Sequence, residues 1–202
     1  MQGARSFREP FRGGARRIEW TMTTETARAI DELLVVRCQA GESEAFTLLV
    51  RRWQRRLWQY ARRLTGYPEA AWDVTQETWL VVLRRIRSLN DPAWFAAWAH
   101  RIVRNKCADR GRKIERRRRL VSRVVQRPCE SADAASDSRS ESLAAALRRL
   151  ARNQREILLL KYGHDLTIVE LSFVLGVPAG TVKSRLHHAR EELRRALQGE
   201  RS

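Results

Sequence analysis

The segment of residues 180–197, GTVKSRLHHAREELRRAL, combines an apolar helical stripe with a polar face suited to contact with DNA. The apolar side chains recur at the spacing of one helix face, at Val182, Leu186, Ala189, Leu193 and Leu197. A helix that reads DNA contacts base edges with its N-terminal residues, so the other face supplies the candidates. These candidates are Gly180, Thr181, Lys183, Ser184, Arg185, His187, His188 and Arg190. For either histidine alone, a solvated position without DNA contact is the competing interpretation.

The residues just before this segment predict the first half of a helix-turn-helix. Thr167 and Glu170 form a T-x-x-E capping box that would start a short helix. Gly176 stands where a helix ends in a left-handed residue, and Pro178 falls at the first turn of the next helix. Ser172 is small enough for a second helix to approach closely. Two helices of a generic bundle would give a similar pattern, and that alternative stays open at this point.

A second candidate surface lies about 100 residues upstream of these helices. Its polar and apolar residues are spaced i, i+3, i+4, i+7 and i+11, which places them along one stripe of a helix. The stripe consists of Asp73, Gln76, Glu77, Leu80 and Arg84. Carboxylates and an amide beside an outward leucine suit contact with another protein, and ordinary surface polarity is the alternative.

The segment of residues 95–113, FAAWAHRIVRNKCADRGRK, predicts a basic helix. Phe95, Trp98 and Ile102 point one way and have the spacing of core residues. The other faces carry polar and basic side chains, namely His100, Arg101, Arg104, Asn105, Lys106, Arg110 and Arg112. Trp94 lies off the core stripe, so it is the tryptophan best placed to stack on a nucleic-acid base.

Capping and turn signals divide the rest of the chain into helices that would position these residues. Helices are expected over 27–38, from Ser43 to the break at Gly66, from Pro68 to about residue 86, and from Pro92 to about residue 113. Four more are expected at roughly 143–151, 153–162, 167–175 and 179–197. No segment shows convincing strand alternation, so the prediction is an all-α fold.

Composition predicts two small helical domains joined by a flexible linker. The domains span residues 25–118 and 142–199, and the linker, which is small, polar and locally acidic, spans 119–141. Residues 1–24 are rich in arginine and glycine and lack helical periodicity, so a disordered basic tail is expected. Met22 is therefore a second candidate for the start of the functional chain.

The charge of the 202-residue chain points to an anionic partner. Its formal net charge is +17, from 40 Lys plus Arg and 23 Asp plus Glu, and most of the basic residues are arginine. Arginine suits bidentate contact with phosphates and base edges, so nucleic acid ranks ahead of a membrane surface. Repulsion between copies of the chain, without a specific partner, is the plainer alternative.

Other function classes are disfavoured by the sequence. No apolar run reaches the roughly 20 residues needed to span a bilayer, and the start lacks the apolar region of a signal peptide, so a cytoplasmic protein without membrane insertion is expected. Cys38, Cys107 and Cys129 are far apart, and the four histidines offer no zinc spacing. We expect no metal, no cofactor, no catalytic residues and no small-molecule substrate, with redox sensing through Cys38 or Cys107 as a minor alternative.

Residues 153–193 resemble region 4 of an extracytoplasmic-function (ECF) sigma factor of bacterial RNA polymerase. The resemblance rests on Arg155-Glu156, on Glu170-Leu171, on LGVP at 175–178 and on GTVKSRL at 180–186. The sequence departs from the family pattern at Ser172, where alanine is usual, and at Phe173, where a charged or small residue is usual. His188 replaces the familiar arginine, which bears on promoter preference.

Two upstream segments resemble region 2 of the same family. Residues 70–86 match the pattern A-E-D-hydrophobic-x-Q-E at Asp73, Gln76 and Glu77, with Trp72 in place of the usual glutamate. Residues 95–113 match the next pattern of the family, with Ala99 in place of leucine. The matching residues are Phe95, Trp98, Ile102, Asn105, Asp109 and Arg112.

The resemblance implies a protein that is not an enzyme and that binds core RNA polymerase and promoter DNA. It assigns polymerase binding to the stripe from Asp73 to Arg84, and duplex DNA of the −35 element to the helix beginning at Gly180. It assigns the unpaired −10 strand to the basic helix and the loop before it. The residues concerned are Trp94, Arg101, Arg104, Asn105, Lys106, Asp109 and Arg112. An anti-sigma factor is a further partner that the resemblance allows.

Two other functions remain as alternatives at this stage. A free-standing helix-turn-helix regulator would bind its operator unaided and would have no need of the stripe at Asp73, Gln76 and Glu77. A basic RNA-binding protein that works without polymerase would lack the chemistry of the GTVKSRL helix.

Overall fold

The computed structural model describes residues 24–120 and 138–198, which fold into α-helices. The first unit contains α1 (Thr24–Gln39), α2 (Ser43–Thr65), α3 (Pro68–Arg85) and α4 (Phe95–Leu120). The second contains α5 (Ser138–Arg149), α6 (Arg152–Leu158), α7 (Ile168–Leu175) and α8 (Ala179–Gln198). Shorter helical turns lie at Ile86–Ser88, Pro92–Trp94 and Leu159–Gly163. Neither described range contains a β-strand, and the predicted all-α class is confirmed.

Several helices are longer than the sequence pattern predicted. Helix α1 already begins at Thr24, and α4 continues through the basic run to Leu120, since arginine is a good helix former. Helix α5 begins at Ser138 rather than near residue 143. The predictions for residues 1–23 and for most of the linker, including Cys129, concern residues outside the described ranges. None of the helices in those ranges is both long and apolar enough to cross a membrane.

Helix α2 is the centre of the first unit, because its apolar stripe faces the other three helices. Leu49, Leu57 and Tyr60 are fully buried, and Trp53 is nearly so. Burial of an apolar side chain of this size contributes about 1.5–3 kcal/mol relative to leaving it exposed. Gly66 ends the helix in the left-handed conformation (φ 82°), and this break allows α3 to turn back along α2.

The second unit has the local geometry predicted for a helix-turn-helix. The backbone N–H of Thr167 donates to Glu170 Oε2 at 2.6 Å, and the N–H of Glu170 donates to Thr167 Oγ1 at 3.2 Å. Gly176 ends α7 with φ 68°, and the Ser172 hydroxyl donates to the Val177 carbonyl at 2.6 Å within the turn. The capping box thus fixes the start of α7, and the bond from Ser172 to Val177 holds the turn into α8.

The two units lie against each other and share one cluster of buried apolar side chains. Helix α4 of the first unit packs along α7 of the second, and the cluster runs from Phe95 and Val103 to Leu166 and Leu171. The sequence pattern did not predict this packing, because each unit already has an apolar core of its own.

Candidate nucleic-acid and polymerase interfaces

The polar face of α8 is open to solvent over its first three turns. Its inner side buries Val182, Leu186 and Ala189 against the rest of the second unit. The predicted DNA-contacting residues lie on the remaining surface, and all of them are exposed except Thr181, which is half-buried. The exposed ones are Gly180, Lys183, Ser184, Arg185, His187, His188 and Arg190.

The positive charge of α8 is concentrated at the end that would read DNA. Within α8, Glu191 is the first carboxylate. In the second half of the helix, Arg194 pairs with Glu191 at 2.6 Å and Arg195 with Glu192 at 2.9 Å. Arg190, by contrast, contacts only the carbonyl of Leu186 among the hydrogen bonds of the described residues, at 3.4 Å. Since the helix N-terminus itself attracts anions, the first half of α8 is well suited to DNA.

The stripe on α3 is exposed along its whole length, as predicted. Asp73 and Glu77 each form an ion pair with α4, to Arg110 at 3.2 Å and to Lys106 at 2.9 Å. Both carboxylates keep more than half of their side-chain surface in contact with solvent, so a partner can still reach them.

An apolar patch continues this stripe beyond the carboxylates. Leu80 is 53% exposed, and Leu83, which the sequence pattern did not single out, is 57% exposed. Contiguous exposed apolar surface marks a candidate site for contact with another protein. The exposed side chains of Gln76 and Arg84 border this patch.

The residues predicted to bind the −10 strand do not share one open surface. Asn105, Asp109 and Arg112 are exposed, and Arg112 donates a hydrogen bond to Asp109. Lys106 is half-buried in its ion pair with α3. The remaining three, Trp94, Arg101 and Arg104, face the second unit and are half-buried there.

Sequence profiles of two sigma-factor regions match the two units. Sigma-70 region 2 matches residues 49–117, and Sigma-70 region 4 matches residues 140–193. The ECF RNA polymerase sigma factor SigL of Mycobacterium tuberculosis (strain ATCC 25618 / H37Rv) is 35% identical over 147 residues, which cover 70% of this chain and 82% of the relative. This chain belongs to the ECF sigma factor family.

Other relatives agree with this assignment. SigM of M. tuberculosis (strain ATCC 35801 / TMC 107 / Erdman) is 33% identical over 163 residues, covering 78% of this chain and 80% of the relative. SigW of Bacillus subtilis (strain 168) is 28% identical over 170 residues, covering 78% and 91%. Among solved structures, CnrH in complex with the cytosolic domain of CnrY is 26% identical with a TM-score of 0.58, covering 84% of this chain and 98% of that chain.

In this ECF sigma factor, regions 2 and 4 meet at a buried carboxylate. The Tyr60 hydroxyl of α2 donates to Glu156 Oε1 at 2.8 Å, and Arg104 Nε of α4 donates to the same oxygen at 3.1 Å. The Glu156 side chain is only 12% exposed. Burial is the main cause that raises the pKa of Tyr60 well above its usual value, with the neighbouring Glu156 carboxylate adding to it. Glu156 belongs to the Arg155-Glu156 pair that marked region 4 in the sequence.

A pair of histidine rings lies at the same junction and corrects a sequence expectation. His100 was expected on a polar face of the basic helix, but it is fully buried, with Nδ1 2.7 Å from the Ala96 carbonyl. Its ring centroid is 4.4 Å from that of His164 in region 4. Burial lowers the pKa of His100 to about 4 and that of His164 to about 3, where the neighbouring His100 adds a smaller effect. Both rings are therefore neutral in this arrangement near pH 7.

The cysteines within the described ranges are poorly suited to redox sensing. Cys38 is buried, and burial raises the pKa of its thiol. Burial raises the pKa of Cys107 to about 12. The thiolate is the reactive form, so both thiols are held in their unreactive state near pH 7.

Proposed function

We propose that this ECF sigma factor binds core RNA polymerase in the cytoplasm and directs promoter-specific initiation of transcription. The observation that carries the proposal is the separation of three surfaces on three helices. An acidic and apolar surface on α3 is suited to a protein, whereas the surfaces on α4 and α8 are basic and suited to DNA. We assign region 2 to residues 25–118, the linker to 119–141 and region 4 to 142–199, after a basic tail.

Helix α8 would enter the major groove of the −35 element. Lys183, Arg185, His187 and His188 extend from its exposed face and carry donors that can reach base edges, while Arg190 lies one turn further along. The Ser184 hydroxyl donates to the Thr181 carbonyl at 3.0 Å, so it can contact DNA through its acceptor lone pairs without giving up that bond. Gly180 and Thr181 present the helix N-terminus to a phosphate.

The basic helix α4 would hold the melted −10 strand. Asn105 and Arg112 are exposed along it, with Arg101 about one turn before Asn105 and Arg104 about two turns before Arg112 on the same side of the helix. Arginine side chains can follow the phosphates of a single strand while Trp94 stacks on an unpaired base. Lys106 and Asp109 lie on the adjacent face, which connects this surface to the α3 stripe through the Glu77 ion pair.

The α3 stripe would dock on core polymerase. Asp73, Gln76 and Glu77 present acceptors and an amide, and Leu80 supplies an apolar contact beside them. This negative surface is unsuited to phosphate, so it has no role in a protein that only binds DNA.

An anti-sigma factor is a further partner in this proposal. Solved relatives occur in such assemblies: the sigma factor RpoE of Bartonella quintana was crystallised with the anti-sigma factor NepR. That structure is 23% identical to this chain, with a TM-score of 0.62, and covers 76% of this chain and 96% of that chain. At this identity the likeness shows only a shared fold.

The test is transcription by reconstituted holoenzyme from fragments of genomic DNA, with the transcript 5′ ends mapped. We expect start sites preceded by a shared −35 and −10 pair, and none of them with core polymerase alone. A chain that binds particular duplex sequences but yields no new start sites would favour the free-standing helix-turn-helix regulator instead.

A further inference from the structure

One side chain of region 4 lies directly on the proposed −10 surface of region 2. The ring of Phe173, on α7, meets the ring of Trp94 edge to face, with centroids 5.5 Å apart and an interplanar angle of 75°. The Arg101 guanidinium lies over the same phenylalanine ring, with Cζ 4.3 Å from its centroid. Phe173 therefore covers both Trp94 and Arg101, two of the side chains proposed to hold the single strand.

The next cation along this face is also occupied by region 4. Arg104 Nε lies 3.1 Å from the largely buried carboxylate of Glu156, which also accepts a hydrogen bond from the Tyr60 hydroxyl. Further along α4, Asn105 and Arg112 remain exposed. Region 4 therefore covers the part of the −10 surface that carries Trp94, Arg101 and Arg104.

These intramolecular contacts have the chemistry of the DNA contacts that they replace. A base that stacked on Trp94 or under the Arg101 guanidinium would need the space that the Phe173 ring occupies, and a phosphate would take the place of the Glu156 carboxylate on Arg104. A single DNA strand and region 4 cannot contact Trp94, Arg101 and Arg104 at the same time. The reading face of α8, which carries Lys183, Arg185, His187 and His188, stays exposed, so the competition concerns the −10 surface alone.

We propose that region 4 masks the −10 surface of region 2 in the free sigma factor, with Phe173 in the place of a stacked base and Glu156 in the place of a phosphate. This inference rests on the function proposed above, because it takes Trp94, Arg101 and Arg104 as strand-binding residues. The free chain binds single-stranded DNA weakly, and separation of region 4 from α4 exposes the complete surface. A partner that binds the open form more tightly than the closed form shifts the population toward the open form by up to the ratio of the two affinities.

The test compares single-strand binding and molecular size in the full-length free chain. The probe is a fluorescein-labelled single strand of randomised sequence about 16 nucleotides long, the upper end of single-strand site sizes. Phe173→Ala removes one aromatic pair and one cation–π contact, so we expect affinity to rise by about five- to tenfold. Small-angle X-ray scattering should show a larger radius of gyration for the same variant.

Matched variants separate masking from general effects on charge or stability. Val169→Ala removes an apolar side chain from the same helix, but at a position that is 60% exposed, and should change neither affinity nor radius. Adding Trp94→Ala to Phe173→Ala should abolish the gain in affinity, because the uncovered ring is then missing. If Phe173→Ala loses helical circular dichroism, Phe173→Leu, which keeps an apolar side chain without the ring, takes its place.

The proposal is overturned if the Phe173 variant that keeps its helical content binds the strand no better than the wild type, or keeps the wild-type radius. Failure of the sigma function itself would look different, because wild type and variants alike would then give no promoter-specific start sites with core polymerase. A variant that initiates normally but shows no gain in free-strand affinity contradicts only the masking.

Discussion

The reading face of α8 and the −10 surface of region 2 are the two surfaces proposed to contact DNA, and they differ in what covers them. Lys183, Arg185 and His187 on α8 are exposed, whereas Trp94, in the turn before α4, and Arg101, on α4, lie against the Phe173 ring. A helix with one buried side leaves its other side available, but a helix packed on two sides does not. The surface proposed for duplex DNA is thus open, while the surface proposed for the single strand is partly covered.

The largest expected effect concerns the buried side that holds α8 in place. Leu186 is 4% exposed, so Leu186→Ala should lower the free energy of unfolding by about 2–5 kcal/mol, since it leaves a cavity under the reading face. Lys183→Ala, on the exposed side, should change it by no more than about 0.5 kcal/mol. Urea unfolding followed by circular dichroism measures both. Equal effects would show that α8 is not anchored through this face.

The next prediction concerns Glu156, the carboxylate of region 4 that pairs with Arg104 of α4. Glu156→Ala leaves the buried Tyr60 hydroxyl and Arg104 without this partner, and should cost about 1–3 kcal/mol of stability. Glu192→Ala removes only a surface ion pair to Arg195, so its cost should stay below about 1 kcal/mol. The same urea titration compares the two variants. A Glu156→Ala protein as stable as Glu192→Ala would mean that the junction does not depend on this carboxylate.

A third prediction sharpens the comparison on the open side. His187→Ala and His188→Ala should alter which −35 sequences are used, since a good base contact discriminates by about 1–3 kcal/mol. Arg194→Ala, whose side chain already pairs with Glu191, should weaken binding to all sequences alike. Selection by holoenzyme from a randomised −35 library gives the preferences. Unchanged preference in both histidine variants would place base recognition at Lys183 and Arg185.

A fourth prediction is a pH dependence of the packing between region 4 and α4. The pKa of His164 is about 3 in the packed form and returns toward its ordinary value of 6.5 on separation, so the open form binds more protons. Packing is therefore most stable above about pH 6.5 and weakens as the pH falls toward 4. His100 contributes in the same direction.

The charged and titratable groups around this pair set the size of the effect. Arg56 lowers the pKa of both histidines, Arg63 lowers that of His164, and Glu170 raises that of His100. The Tyr60 ring packs against both imidazoles. Scattering at about pH 7.5 and about pH 5.5 should show a larger radius at the lower pH, and His164→Phe should reduce this change. A wild-type radius that is the same at both values contradicts the prediction.

The difference between α8, which is packed on one side, and α4, which is packed on two sides, also explains what the sequence could predict. Along α8 the apolar positions mark a single buried side, so helical periodicity alone predicted the exposure of the reading face. The capping box at Thr167 and Glu170 and the left-handed Gly176 were likewise predictable, because they depend on neighbours in the chain.

Helix α4 shows where such prediction ends. Periodicity identified Phe95 as a core residue but placed His100 on a polar face, because the rings that surround His100, from Trp53, Tyr60 and His164, lie on distant segments of the chain. Nothing in the spacing around Trp94 points to Phe173. The stripe at Asp73 and Glu77 lies between these cases, since its exposure follows from local spacing and its ion pairs to α4 do not.

The most direct test of the proposed sigma function is assembly of holoenzyme by an Asp73→Ala, Glu77→Ala variant. Both carboxylates are exposed, so each substitution should change stability by no more than about 0.5 kcal/mol. Arg110→Ala is the matched control, because it breaks the same Asp73 ion pair from the other side but leaves the carboxylate available. Gel filtration with core polymerase gives the result. We predict that the double variant folds but does not co-elute with core polymerase, whereas Arg110→Ala does co-elute. A folded double variant that assembles and initiates like the wild type would contradict polymerase docking through α3.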